Sequence, residues 1–163
     1  MSSNILPAKS KLIANLNTPW KMRLYFWQRL PSLLFWGVKI KYCDTDKVEI
    51  TIPFSWRTQN PFRSTYFAAL CGAAELSTGT LGLIAIEGRG RISMLITHIE
   101  AEFYKKATGL TTFTCEEGKK IQDTVQKTMD SGEAQQIRVT SVGTNTFGEI
   151  VTKVTLTWSF KKK

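Results

Sequence analysis

Apolar residues recur along this chain with two different periods, and each period predicts a different element. From Ile13 to Leu34 the positions Leu16, Trp20, Leu24, Trp27 and Leu30 fall at three- and four-residue intervals, the repeat of a helix face. Pro19 and Pro31 bound this stretch, so one helix or two short ones satisfy it. A two-residue period follows. Val38, Ile40 and Tyr42 alternate with Lys39 and Lys41, and Val48, Ile50, Ile52 and Phe54 alternate with Lys47, Glu49 and Thr51. Asp44-Thr45-Asp46 between the runs supplies turn chemistry, which predicts a hairpin. Asn60-Pro61 breaks the chain, and Ser64 is suited to cap the helix that follows.

Ser64 to Ile86 is apolar or small throughout, with Ala68, Ala69, Gly72, Ala73 and Ala74 near its centre and a single charge, Glu75. Its length permits a membrane span. Its glycines, its Ser and Thr residues and the strands on both sides favour a helix buried on every face, with small residues letting a sheet wrap closely around it. After Gly88-Arg89-Gly90-Arg91 the period returns to two. Leu95, Thr97, Ile99, Ala101 and Phe103 share one face of a run ending near Lys106, and Gly109 turns the chain into Leu110 to Glu116. Gly118 to Ser131 is a short amphipathic helix with Ile121, Val125 and Met129 on one side. Gln136 to Val142 and Glu149 to Phe160 are two further strands. The expected fold is α+β: a bent antiparallel sheet of about six strands around one buried helix. One domain spans 1–163, with an N-terminal helical region over 12–36 and the core over 37–160.

A formal net charge of +9 favours acidic partners. Nucleic acid is not expected, because no recognition module or aromatic-on-sheet motif accompanies the charge. The one basic run, Lys161 to Lys163, is a solvated end. Cys43, Cys71 and Cys115 are odd in number and far apart, and Met1 to Lys11 has no apolar core of a signal peptide. Reduced thiols in the cytoplasm are the expectation. With one His in the chain, a Cys/His metal site is not expected. The helical region is rich in aromatics and carries Lys21, Arg23 and Arg29, the composition of a membrane-surface helix. Cover for the sheet of the same domain or of a dimer partner is the preferred account.

The order of elements resembles the hot-dog fold, and two local stretches strengthen the likeness. Asn60-Pro61-Phe62-Arg63-Ser64-Thr65-Tyr66-Phe67-Ala68, continuing to Glu75, is similar to the segment of small bacterial hot-dog thioesterases that runs from an Asn through His-Gly-Gly to a helical Asp or Glu. Phe103-Tyr104-Lys105-Lys106-Ala107-Thr108-Gly109-Leu110 is similar to the family's strand ending in Phe, a basic residue, Pro-Ala and Gly. Within that superfamily the chain most resembles the thioesterase-like DUF4442 family. The resemblance implies a catalytic carboxylate at Glu75, an oxyanion-polarising backbone N–H at Phe67 and a polar helper at Asn60. Tyr66 and Phe67 replace the His and first Gly, and Ala68 the second, so a bulky ring stands where the family leaves an open approach.

Thioester chemistry fits these residue types. N–H groups at a helix start point outward unpaired where the dipole favours negative charge, and a partly buried carboxylate can activate water or attack directly. Alternatively, Glu75 is a structural carboxylate held by an Arg or by Ser77 or Thr78. Cys71, one turn before Glu75, is a candidate to line the same cavity, although a small buried hydrophobe is its preferred role. His98, on a strand, is not placed beside it as a base. Tyr66, Arg89, Arg91, Lys105 and Lys106 are substrate-binding candidates, the basic four either for the phosphates of coenzyme A or an acidic carrier face or else ordinary solvated charges. Coenzyme A enters only as part of the substrate, and no cofactor is expected. The aromatic N-terminal region is suited to cap an acyl tunnel. The two functions in view are an acyl-CoA or acyl-carrier thioesterase and a non-catalytic acyl or lipid binder. A homodimer is expected, with pairing of dimers into tetramers open and no transmembrane segment.

Overall fold

Each of the first three prolines opens a helix. The computed structural model, which describes residues 7–163, shows α1 (Pro7–Leu16), α2 (Pro19–Arg29) and α3 (Pro31–Trp36). Proline is tolerated at a helix start because the N–H it lacks would be unpaired there. The helical region thus starts before residue 12 and divides at the prolines. Met1 to Leu6, part of the segment without a signal-peptide core, lie outside the described residues. Gly37 ends α3 in the left-handed region at φ 74°, while Val38 N–H bonds Leu33 O at 3.0 Å, so the chain turns directly into the sheet. The buried side of this region differs from the expected one. Leu16, Met22, Phe26 and Leu33 pack inward, while Trp20, Leu24 and Trp27 face out. Periodicity locates a stripe on a helix, but α2 has two apolar stripes and only packing selects the inner one.

The strands are β1 (Lys39–Cys43), β2 (Val48–Ile52), β3 (Ile92–Phe103), β4 (Thr111–Cys115), β5 (Gln135–Thr144) and β6 (Ile150–Lys162). They form one antiparallel sheet in the order β1-β2-β4-β5-β6-β3. Across its inner face lies α4 (Phe67–Ile86), flanked by α5 (Gly118–Ser131). Although α4 is long and apolar enough to cross a membrane, Ala69, Ala73, Ala74, Ser77, Leu81 and Ile84 on it are buried inside the protein. Two buried polar links join helix to sheet: Ser77 Oγ to Ser141 Oγ at 2.7 Å, and Trp158 Nε1 donating to Thr78 Oγ1 at 3.0 Å. Small residues allow the approach. A Cβ on Gly72 would stand 3.0 Å from the Trp36 ring, and one on Gly82 would stand 2.7 Å from Met94 Cε.

Two register shifts alter the expected faces. In β1 the shift between Ile40 and Tyr42 turns Tyr42 out and Cys43 in. In β3 the shift between Ile96 and His98 puts Met94 and Ile96 on the inner side with Ile99, Ala101 and Phe103, and leaves Leu95 and Thr97 outside. A bulge inserts one residue and so reverses the alternation beyond it.

The start of α5 sits tightly on the β1–β2 turn. Gly118 N–H donates to Asp46 O at 3.0 Å, and a Cβ on Gly118 would fall 2.2 Å from Thr45 O. Because backbone rather than a flexible side chain is met, Gly118→Ala is expected to destabilise the protein by about 1–3 kcal/mol, read by chemical denaturation.

Candidate active site

The first turn of α4 is anchored from both sides. Thr65 N–H and Oγ1 donate to Ala107 O at 2.8 and 3.0 Å, and Tyr66 N–H donates to Thr58 O at 2.7 Å. Tyr66 is the extended N-cap residue, and it provides no side-chain cap. Among the described residues the N–H groups of Phe67 and Ala68 have no hydrogen-bond partner. They offer two outward donors at the positive end of a 20-residue helix.

A trough of about 1330 Å³ runs alongside α4. Its walls come from α1, α2 and α3 on one side and from β3 and β6 on the other, and its lining is mostly apolar. Phe67, Ala68, Cys71 and Glu75 line it from α4. Glu75 opens into the trough beside apolar walls, and loss of hydration there raises its pKa above the ordinary 4.5. No hydrogen bond or ion pair among the described residues reaches its carboxylate. Thr78 donates instead to the backbone carbonyl of Glu75, at 3.1 Å, while accepting from Trp158. The turn that carries Glu75 is therefore fastened to the sheet while its acid group stays unengaged.

Phe67 and Glu75 lie on one helix but not at one point. Eight residues of rise separate them by about 12 Å along the axis, even though helical side chains lean toward the N-terminus. A reacting carbonyl needs donor and base each within about 3 Å, so the Glu75 and Phe67 of a single chain do not serve the same bond.

The other candidates divide into groups. A smaller cavity of about 360 Å³ at the start of α4 brings together Asn60, Phe67, Lys105 and Lys106. Asn60 Oδ1 accepts from Phe62 N–H at 3.0 Å and from Ser64 N–H at 3.2 Å, so its amide holds the turn in which Arg63 adopts a positive φ of 59°. Lys105 Nζ pairs with Glu149 at 2.5 Å, and Lys106 Nζ donates to Phe62 O at 3.3 Å. Tyr66 stacks edge-on against Phe67 with ring centroids 4.9 Å apart. Arg89 and Arg91 follow the opposite end of α4, about 30 Å away along a helix of that length. Neither lines either cavity, and Arg89 Nη1 donates to Gln126 Oε1 at 2.7 Å. The four basic residues therefore do not form one cradle within a chain.

All three cysteines are free thiols. Burial pushes Cys43 up to about 12 and Cys115 up to about 11, and it raises Cys71 too, so none is poised as a thiolate. His98, on the exposed edge strand β3, does not line the trough. Lys21, Tyr25 and Arg29, none of them among the site residues expected from the sequence, line the trough from α2. Their spacing of four residues was the available signal.

The model of the Domain of unknown function (DUF4442) matches residues 20–160. The chain belongs to this family. Solved structures of similar shape agree on the fold. A Pseudomonas aeruginosa protein of unknown function named "Probable Thioesterase" is 17% identical, with a TM-score of 0.75 over 89% of this chain and 97% of that one. A Chlorobaculum tepidum protein of unknown function is 16% identical, with a TM-score of 0.74 over 92% and 99%. A Haemophilus influenzae thioesterase is 15% identical, with a TM-score of 0.65 over 88% and 90%. No curated protein matches the chain. This DUF4442 chain has the hot-dog fold.

Proposed function

We propose that this DUF4442 protein hydrolyses an acyl thioester, carried on coenzyme A or on an acyl-carrier protein. The observation that carries the proposal is the unpaired Glu75 carboxylate in an apolar trough, on a helix whose first N–H groups are free. Glu75 takes a proton from water as the water oxygen attacks the thioester carbonyl carbon. The Phe67 N–H stabilises the oxyanion, the C–S bond breaks, and the thiolate leaves and is protonated. The products are a carboxylic acid and a free thiol. The acyl chain lies along the trough, which suits a medium or long chain.

The separation of Glu75 from its own Phe67 N–H supports a homodimer in which each site takes the acid from one copy and the N–H from the other. β3 supports it as well, being a 12-residue edge strand with Leu95, Ile99 and Phe103 exposed. Antiparallel pairing of two β3 edges about a twofold axis sets the Arg91 end of one copy beside the Lys105 end of the other. The basic residues that lie apart within a chain would then converge on the phosphates of coenzyme A.

A non-catalytic acyl binder is the second reading. It is favoured by Phe67, a bulky residue that lines both cavities. Hydrolysis of acyl-CoA thioesters of graded chain length, followed by thiol release, separates the two. Turnover rising from short to medium or long chains is expected. Retention of acyl-CoA without thiol release at any length would establish the binder.

A further inference from the structure

The outward side of α2 belongs neither to the core nor to the trough. Met22 and Phe26 pack inward, and Lys21, Tyr25 and Arg29 line the trough. Trp20, Leu24 and Trp27, at i, i+4 and i+7, make a third stripe and are 64%, 49% and 66% exposed. Two indoles and a leucine aligned on one exposed helix face mark an interaction surface more than scattered apolar residues do.

Charge narrows what such a surface meets. No Asp or Glu precedes Asp44, whereas Lys9, Lys11, Lys21, Arg23, Arg29, Lys39 and Lys41 do, so the N-terminal part of the chain holds most of the net +9. Lys9 is buried, with Nζ 3.4 Å from Ala85 O, and the outer charge rests on the others. Lys21 Nζ lies 5.6 Å from the Trp20 ring centroid, so cation and indole share one edge of the stripe. The loop between β2 and α4 repeats the pattern with no acidic residue: Trp56 and Phe62 are exposed, and Arg57 lies 6.0 Å from the Trp56 ring.

We propose that the Trp20, Leu24 and Trp27 stripe docks on the surface of a bilayer containing acidic phospholipid. Indole rings settle at the headgroup level, Leu24 reaches the acyl boundary, and Arg23 with its basic neighbours faces lipid phosphates. A second copy of the chain is disfavoured as the occupant, because a twofold interface sets the same face against itself and brings its like charges together. The inference is independent of the thioesterase proposal. If both hold, the Lys21, Tyr25 and Arg29 rim of the trough lies next to the headgroups, where an acyl chain enters or leaves.

Co-sedimentation of the full chain with vesicles tests it, using phosphatidylcholine alone and phosphatidylcholine mixed with phosphatidylglycerol. Partitioning at least about tenfold stronger onto the acidic vesicles is expected at about 0.1 M salt, falling steeply as salt is raised. Trp20→Ser with Trp27→Ser is expected to lower partitioning about tenfold or more with the circular dichroism spectrum unchanged. Arg23→Gln is expected to lower it about fivefold on acidic vesicles only. Equal binding to neutral vesicles, no binding to acidic ones, or indifference to the double substitution would overturn the proposal. So would a double variant that loses an oligomeric state in light scattering, since the stripe would then be a contact between copies. Binding to an acidic protein with none to vesicles would overturn it too.

Discussion

Glu75→Gln is expected to slow thioester hydrolysis by about 10²–10⁴-fold, the usual contribution of a general base, with binding of the acyl chain little changed. The amide keeps the shape of the side chain and removes only its capacity to take a proton. The pH profile of the wild type should carry the same signature. The apolar walls of the trough hold the Glu75 pKa above 4.5, so the active carboxylate form appears only as pH rises through that raised value. Activity therefore climbs on an acidic limb displaced upward from an ordinary glutamate, and covering of the trough by a second copy would displace it further.

Stability separates this role from a structural one. For an acid whose folded pKa is raised, the native state binds more protons than the unfolded state between 4.5 and the raised value. Stability then falls as pH rises through that window, and ionised Glu75 is a net cost above it. Glu75→Gln should be at least as stable as wild type at neutral pH, measured by urea denaturation, while its turnover collapses. A variant that loses stability and activity together would identify Glu75 as part of the fold.

Phe113→Ala is expected to cost about 3–5 kcal/mol, as for a fully buried phenylalanine. Phe113 is completely buried on β4, opposite Ile50 on β2 and Gly143 on β5. A Cβ on Gly143 would lie 2.9 Å from its Cε1, so the ring fills the space that a glycine leaves. Nothing adjacent can collapse into the cavity without moving two neighbouring strands. For a chain of this size the loss corresponds to a melting temperature lower by about 6–20 °C. Thr114→Ala, one residue along on the less buried side, should change stability by less than about 1 kcal/mol. Calorimetry of both variants compares the two faces directly.

Most elements were legible in the sequence. The clean alternation of β2 and β6 and the unbroken apolar character of α4 predicted their types, because each exceeds what local exceptions disturb. Pro19 and Pro31 bounded the predicted helical stretch, and the structure opens a helix at each. Glu75 stood out because a single carboxylate in a 20-residue apolar helix is costly wherever that helix is buried.

Other features depended on contacts between distant residues. The shifts at Lys41 and Thr97 each turn half a strand over, and nothing local signals a bulge that only strand pairing defines. Which stripe of α2 faces the core was settled by Met22 and Phe26 meeting their neighbours, since both stripes are equally periodic. The division of the basic candidates between the two ends of α4 follows from helix length and the return of the chain along β3. What the sequence determined by itself was the type and order of elements and the one acid worth placing, because these follow from side-chain chemistry and short-range geometry. What tertiary structure alone decided was which faces meet and that the Glu75 carboxylate opens unpaired into an apolar trough, because such surroundings exist only once the sheet has closed around the helix.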